Sequence, residues 1–343
     1  TPVAFKSTIS KAGHNGIMIK GAKSIEALNN ADTFVFDKTG TLTAGELEVI
    51  EVESYHDKWT TDELLNLTAS TEEHYFHPVA EAVVKAAKQR GFVHMHHEEV
   101  EFIVAHGVKT EVNGKSVIIG SRHFLEDDEK IDFTEHKEKI ENSLKDGKTL
   151  LYISYDGKLL GTITLADEVR SNSKKAITKL RKLGVKNIIM LTGDTKQKAK
   201  MIADELGINE VRAELLPQDK ARIVKELMNE GKKVAFIGDG INDAPALISA
   251  HVGISMSRGA DIAKATADIS LLKDDIMAVV EAKEYANKTM NLINNNFNAT
   301  VGINSCILAG ATFGVFSPIV TAVLHNGTTI GLLFNSIKGV KLN

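Results

Sequence analysis

The chain has 343 residues, enough for roughly two or three domains with cores of their own. Its formal net charge of -4 gives no basic footprint for nucleic acid, and its single cysteine, Cys306, excludes a disulfide framework or an all-cysteine metal cage within the chain. The mean hydropathy of -0.09 suits a water-soluble chain, with a local exception at the carboxyl end.

The first residues, Thr1-Pro2-Val3-Ala4-Phe5, show neither a signal peptide nor an initiating methionine, and further sequence upstream is expected. Short apolar runs that read as buried parallel strands follow at 33–37, 187–194, 233–239 and 252–256. Helical patterns separate them at Ser173–Leu183, Lys196–Leu206 and Gln218–Asn229, the last entered through Pro217. This alternation predicts a doubly wound α/β sheet. About 150 residues lie between the first strand and the second. They hold helical stretches at Thr61–Ser70 and Pro78–Arg90. Strand-like runs lie at Val100–Val104, Val108–Val112 and Ser116–Ile119, and a hairpin at Leu150–Leu165 turns on Asp156-Gly157. An α+β domain inserted after the first strand is the economical reading.

At the far end, Phe297–Phe316 carries no charge, and the stretch from Ser317 to Ile337 carries none apart from His325. Each approaches the roughly 20 apolar residues of a spanning helix. Lys283 and Lys288 before the pair, with Lys338 and Lys341 after it, suit a hairpin whose two ends face the cytoplasm. Two buried helices of a soluble domain remain the alternative, because both segments contain several Asn, Thr and Gly residues.

In open α/β sheets ligands bind beyond the carboxyl ends of the strands, and the reactive residues cluster there. The first strand ends in Asp37-Lys38-Thr39-Gly40-Thr41-Leu42-Thr43, the second in Thr192-Gly193-Asp194, and the third in Gly238-Asp239-Gly240-Ile241-Asn242-Asp243, with Lys220 on the intervening helix. Each residue type has a task in phosphoryl transfer. Asp37 is the candidate nucleophile, and Asp239 and Asp243 are hard oxygen donors for Mg2+. Lys220 and Thr192 are placed to hold phosphoryl oxygens, helped by backbone N–H groups of the Gly40 turn. A lone Gly-Asp-Gly would be an ordinary surface loop; four such signals in order are not.

This set resembles the haloacid dehalogenase superfamily, and the longer matches D-K-T-G-T-L-T, T-G-D and G-D-G-I-N-D-A-P-A-L are similar to those of P-type ATPases. The resemblance implies an aspartyl-phosphate on Asp37, with Lys38, Thr39, Thr192, Gly193, Asp194 and Lys220 around it. Asp37, Thr39, Asp239 and Asp243 would serve Mg2+. Hydrolytic relatives carry a second aspartate two residues after the nucleophile, where this chain has Thr39, so an acyl-phosphate is expected to persist. The T-G-E loop that activates water in P-type ATPases belongs to an actuator domain and does not occur in the chain.

The inserted span resembles the nucleotide-binding domain of the heavy-metal branch through His77-Pro78. The resemblance assigns His77 to adenine and extends to Glu72, Gly107 and Gly120; the expected G-x-G is broken by Ala105. Asp167-Glu168-Val169-Arg170 is similar to the D-x-x-R segment that re-enters the phosphorylation domain, where Arg170 serves either nucleotide or a structural salt bridge. His94, His96 and His97 read as a solvated loop. His325-Asn326-Gly327-Thr328-Thr329 looks like a variant of an H-E-G-x-T motif, so His325, with Asn304, is the candidate for the transported ion; interhelical hydrogen bonding is the plain alternative.

The expected architecture is therefore a haloacid-dehalogenase-like parallel sheet (21–48 with 166–282) and an inserted nucleotide-binding domain (49–165). A stalk with the end of a transmembrane helix (1–20) and two transmembrane helices (283–343) complete it. The implied function is ATP- and Mg2+-dependent translocation of a heavy-metal cation of the Zn, Cd, Co, Ni or Cu class. The implied setting is a cell membrane, with the catalytic domains in the cytoplasm, an actuator domain as partner and no nucleic acid. A soluble phosphatase with a cap domain and a nucleotide-binding regulator without chemistry are the competing classes.

Overall fold

The computed structural model describes every residue except 1, 74–76, 104–105, 145–147, 240–242, 258–260, 341 and 343. Ala105, the Gly240-Ile241-Asn242 part of the third motif and Lys341 lie outside the described residues. The chain divides into two units, Thr1–Leu42 with Arg170–Asn343, and Thr43–Val169.

The first unit opens with α1 (Pro2–His14), β1 (Ile17–Ile19), α2 (Ala22–Asn30) and β2 (Thr33–Asp37). All five residues of β2 are buried, which is why its sequence is an unbroken apolar run up to the terminal carboxylate.

The second unit follows as β3 (Thr43–Ser54), α3 (Thr61–Glu72), α4 (Pro78–Gln89), β4 (Glu101–Ile103), β5 (Gly107–Val112), β6 (Lys115–Gly120), α5 (Lys137–Leu144), β7 (Thr149–Tyr155) and β8 (Lys158–Val169). Its six strands form one antiparallel sheet in the order β3-β8-β7-β6-β5-β4. Alternation along the strands divides the core in two. Ile119 and Ile153 pack with Leu64, Leu67 and Val83 of the helices, while the neighbouring Ile118 and Tyr152 join Phe124, Phe133 and Ile140. Thr60 and Glu63 close a capping box at the start of α3, and Pro78 occupies the first turn of α4.

The chain returns to the first unit as α6 (Ser173–Lys182), β9 (Asn187–Leu191), α7 (Lys196–Leu206), β10 (Glu210–Arg212), α8 (Pro217–Asn229), β11 (Val234–Gly238), α9 (Ala244–Ser249), β12 (Val252–Ser255), α10 (Asp261–Thr266), β13 (Ile269–Leu271), α11 (Met277–Thr312) and α12 (Pro318–Lys338). The sheet runs β1-β13-β12-β11-β2-β9-β10, parallel except where β1 closes the edge antiparallel to β13. β2 sits between β11 and β9, so three motif-bearing strands are direct neighbours.

The exchange between units falls at Leu42–Thr43 and Val169–Arg170. The sequence pattern places it at 49 and 166, but β3 and β8 pair from Thr43↔Val169 to Ser54↔Gly161 and carry those flanking residues into the second sheet. The carboxyl-terminal segments form a hairpin of a 36-residue helix and a 21-residue helix. Among the described residues no helix is long and apolar enough to cross a membrane, because asparagine, threonine and glycine dilute both apolar stretches. The expected transmembrane pair is thus seen as a helical hairpin without that degree of apolarity.

Candidate active site

Asp37 is the last residue of β2; Thr192 follows β9, Asp239 follows β11, and Lys220 lies in the first turn of α8. The fold brings these ends together. One carboxylate oxygen each of Asp37, Asp239 and Asp243 lies within 4.8 Å of the others. The Lys220 ammonium bridges two of them, with Nζ 2.7 Å from Asp37 Oδ1 and 2.7 Å from Asp243 Oδ1. The Asp239 N–H donates to Asp243 Oδ2 at 3.2 Å.

Three carboxylates against one ammonium leave negative charge in a buried place. Burial pushes the Asp37 carboxyl up, the Asp243 charge pushes it further, and Lys220 opposes both. Burial and Asp243 likewise raise Asp239, to about 6. Burial works against the charge on Lys220, but Asp37 and Asp243 outweigh it and hold the ammonium above the usual lysine range. A hard oxygen donor set with surplus negative charge fits Mg2+. The glycine at 40 keeps that space open: at φ +71° it stands so near that a Cβ would lie 1.8 Å from Asp239 Oδ2. Thr39 stands exposed on the turn after Asp37.

The remaining motif residues brace the site. Lys38 is 4 % exposed and its ammonium lies 2.8 Å from Asp194 Oδ2. Lys198, on the first turn of α7, approaches the other Asp194 oxygen at 3.8 Å. The Thr192 hydroxyl accepts the Asp194 N–H at 3.1 Å, and Gly193 passes close to the Leu215 carbonyl. Arg170 donates to the carbonyls of Thr41 and Gly40 at 3.1 Å each and pairs with Asp274 at 2.8 Å. Of its two expected roles, these contacts match the structural one: the guanidinium clamps the turn that follows Asp37.

The second unit carries its own pocket, a cavity of about 200 Å³ lined by Glu72, His77, His106, Gly107, Gly120 and Ser121 among others. Glu72 is 4 % exposed, its Oε2 meets no hydrogen-bond partner among the described residues, and burial raises its carboxyl to about 7. His77 is the residue before α4, where its Nδ1 accepts the Val79 N–H at 3.4 Å, and Pro78 starts the helix. Gly107 and Gly120 are cross-strand partners. A Cβ on Gly107 would lie 2.1 Å from the Ile119 carbonyl oxygen, and one on Gly120 would lie 2.4 Å from that of His106. Close backbone approach within the sheet is therefore sufficient to require both glycines. His106, overlooked in the sequence, stacks on Phe124 with ring centroids 6.0 Å apart; its only signal was its place between Ala105 and Gly107.

Elsewhere, His94 meets Glu73 at 3.4 Å and His97 Nδ1 lies 2.7 Å from the Glu98 carbonyl, in a stretch without helix or strand. None of the three histidines joins the one metal-competent group found among the described residues. In the hairpin, His325 Nδ1 and Asn304 Oδ1 are 3.1 Å apart, so the two candidate ion ligands do meet.

A haloacid dehalogenase-like hydrolase family model matches residues 31–251, which hold β2, β9, β10 and β11 of the parallel sheet and all three motifs. A zinc-exporting P-type ATPase of Mycobacterium marinum is 37% identical over 342 residues, covering 99% of this chain and 47% of the relative. A solved zinc-transporting PIB-type ATPase in its E2P state matches with a TM-score of 0.89 at 32% identity, over 99% of this chain and 55% of that one. The chain belongs to the heavy-metal P-type ATPases of the haloacid dehalogenase-like hydrolase family. It spans about half the length of the curated P-type ATPases it matches. Overall identity does not separate metals within this P-type group, since a manganese-exporting P-type ATPase of Mycobacterium bovis is also 37% identical over 99% of the chain.

Proposed function

We propose that this chain carries the energy-converting part of an ATP-driven heavy-metal pump. The observation that carries the reading is the convergence of Asp37, Lys220, Asp239 and Asp243 beyond the carboxyl ends of the adjacent strands β2 and β11, with threonine rather than a carboxylate at position 39. An Asp37 carboxylate oxygen attacks the γ-phosphorus of ATP, the bond from that phosphorus to the β,γ-bridging oxygen breaks, and ADP departs with those electrons. Lys220 and the Thr192 hydroxyl hold the equatorial phosphoryl oxygens, and Arg170 keeps the Gly40 turn in place to offer its N–H groups. Asp37, Asp239 and Asp243 would hold Mg2+, whose contribution is to neutralise charge on the phosphoryl group. No side chain at position 39 can serve as a base toward water, so the acyl-phosphate persists until another part of the protein activates its hydrolysis.

Glu72 and His77 line the pocket assigned to the adenine, in the unit that presents nucleotide. The hairpin of α11 and α12 is read as membrane-embedded. Its outward apolar side chains support this, among them Phe297, Leu308, Phe313, Ile319, Val323 and Phe334. His325 and Asn304 are the candidate cation ligands there, for a soft or borderline divalent ion. A cell membrane location with the catalytic units in the cytoplasm follows from that reading.

The test is acid-quenched labelling of the intact protein with γ-labelled ATP. The reading requires a hydroxylamine-sensitive label that Asp37→Asn abolishes, together with ATPase activity that rises on titration with Zn2+ or Mn2+. The outcome that would overturn it is that of a phosphatase from the same hydrolase family. That enzyme would release phosphate from small esters and retain no label.

A further inference from the structure

Lys283 is 2 % exposed in the second turn of α11, and the chemistry at Asp37 makes no use of it. Its ammonium donates to the carbonyls of Leu28 and Asn29 at 2.8 Å and of Ala31 at 2.9 Å. Those three carbonyls lie at the end of α2, where helix geometry leaves acceptors short of partners; that of Leu28 also accepts the Ala31 N–H at 3.3 Å. An ammonium has three donors, and here all three are spent on one backbone segment. The same Nζ lies 5.9 Å from the ring centre of Phe34, which stands in β2 three residues before Asp37.

The rest of the base of α11 is fixed in the same polar manner. Tyr285 receives Asn15, Asn287 caps the Leu183 carbonyl at the end of α6, and Thr289 meets Thr8 of α1 at 2.8 Å. Buried positions of α11 run from Ala278 to Thr289, and beyond them only Ile307 is buried among the described residues. From this anchored base one unbroken helix of 36 residues, about 54 Å long, continues to Thr312. A desolvated charge is a costly way to cap a short helix. It does, however, bind the root of the Asp37 strand to a rod that ends in the hairpin.

We infer that Lys283 is the positioning residue that couples the phosphate state of the Asp37 strand to the α11–α12 hairpin. The inference rests on the pump reading above. Displacement of β2 and the end of α2 moves the base of α11 with it, because the ammonium allows no slip between them. Without the ammonium, phosphorylation proceeds while the hairpin no longer follows.

The experiment uses the intact protein in liposomes, with Zn2+ and in parallel Mn2+ as probe ions. Lys283→Met keeps the aliphatic stem and removes the donors. It should reach the parent level of phosphoenzyme per folded molecule, while metal moved per ATP hydrolysed falls on the order of tenfold; Lys283→Arg should recover most of that ratio. An unchanged ratio in Lys283→Met overturns the inference. A parent protein that takes no phosphate refutes the pump reading instead. Should Lys283→Met fail to fold, hydrogen exchange on the unaltered protein decides. Adding Mg2+ with beryllium fluoride should alter protection at residues 28–31 and 281–289 together, and a change in one segment without the other overturns the coupling.

Discussion

The Lys38 ammonium lies 2.8 Å from Oδ2 of Asp194, so the residue after Asp37 meets the last residue of the second motif, from a strand end far away in the chain. Lys38 is almost wholly buried and Asp194 is largely so. Removing the Asp194 carboxylate should therefore take a charged partner away from a buried ammonium. Asp194→Ala is expected to destabilise the first unit by about 3 kcal/mol, and the double variant Lys38→Met, Asp194→Ala should recover about 1 kcal/mol or more of that loss. A urea-denaturation cycle measures the coupling. A coupling near zero would show that the pair contributes nothing beyond its separate residues.

Metal addition should reverse an order of stability. Without divalent cations, Asp239→Asn relieves the like charges around Asp243 and should melt above the parent. With Mg2+ a hundredfold over its Kd, the parent gains about 2.7 kcal/mol, and the variant gains much less. Differential scanning calorimetry in EDTA and in Mg2+ checks this. If the parent's Tm ignores Mg2+, the carboxylate cluster is not a metal site.

Glu72 sets a pH dependence in the second unit. Its carboxyl is raised from 4.5 to about 7, so between those values the folded state binds a proton that the unfolded chain has released. Stability then falls as pH rises through that window, by up to about 3 kcal/mol in all. Glu72→Gln should remove the dependence and make the unit more stable than the parent at pH 8, while weakening ATP binding. Thermal melts from pH 4 to 8, paired with calorimetric titration of ATP, test both halves. A parent whose stability stays flat across that range would contradict the assigned protonation.

Gly107→Ala separates a fold requirement from a ligand requirement. Its Cβ would meet the Ile119 carbonyl at 2.1 Å and Gly120 Cα at 2.7 Å. The expected result is a loss of about 2–3 kcal/mol in unfolding free energy, because backbone rather than a flexible side chain must move. A variant as stable as the parent, impaired only in nucleotide affinity, would instead assign the glycine to the ligand.

The parallel strands were legible because burial on both faces makes their sequences continuous apolar runs; β2, β9 and β11 are of this kind. β3 was not, since Glu46, Glu48, Glu51 and Glu53 break its apolar pattern. β1, β10 and β13 are three residues each, too short to show a period. At the site, Asp37, Lys220, Asp239 and Asp243 announced themselves as reactive types at strand ends. The bracing contacts did not. Arg170 clamps carbonyls that any residue possesses, and Lys283, read as a flank of a spanning helix, is buried against backbone that leaves no trace in side-chain identity.

Thr43 and Val169, the first and last residues of the second unit, are paired across adjacent antiparallel strands, and the Arg170 N–H just beyond them donates to Leu42 at 3.0 Å. The two ends of a 127-residue excursion thus meet at a single doorway. A segment built this way can be gained, lost or exchanged in one genetic splice without rethreading the sheet that receives it. The receiving fold needs only a tight turn to close behind it, so each unit can change its own sequence without disturbing the strand order of the other.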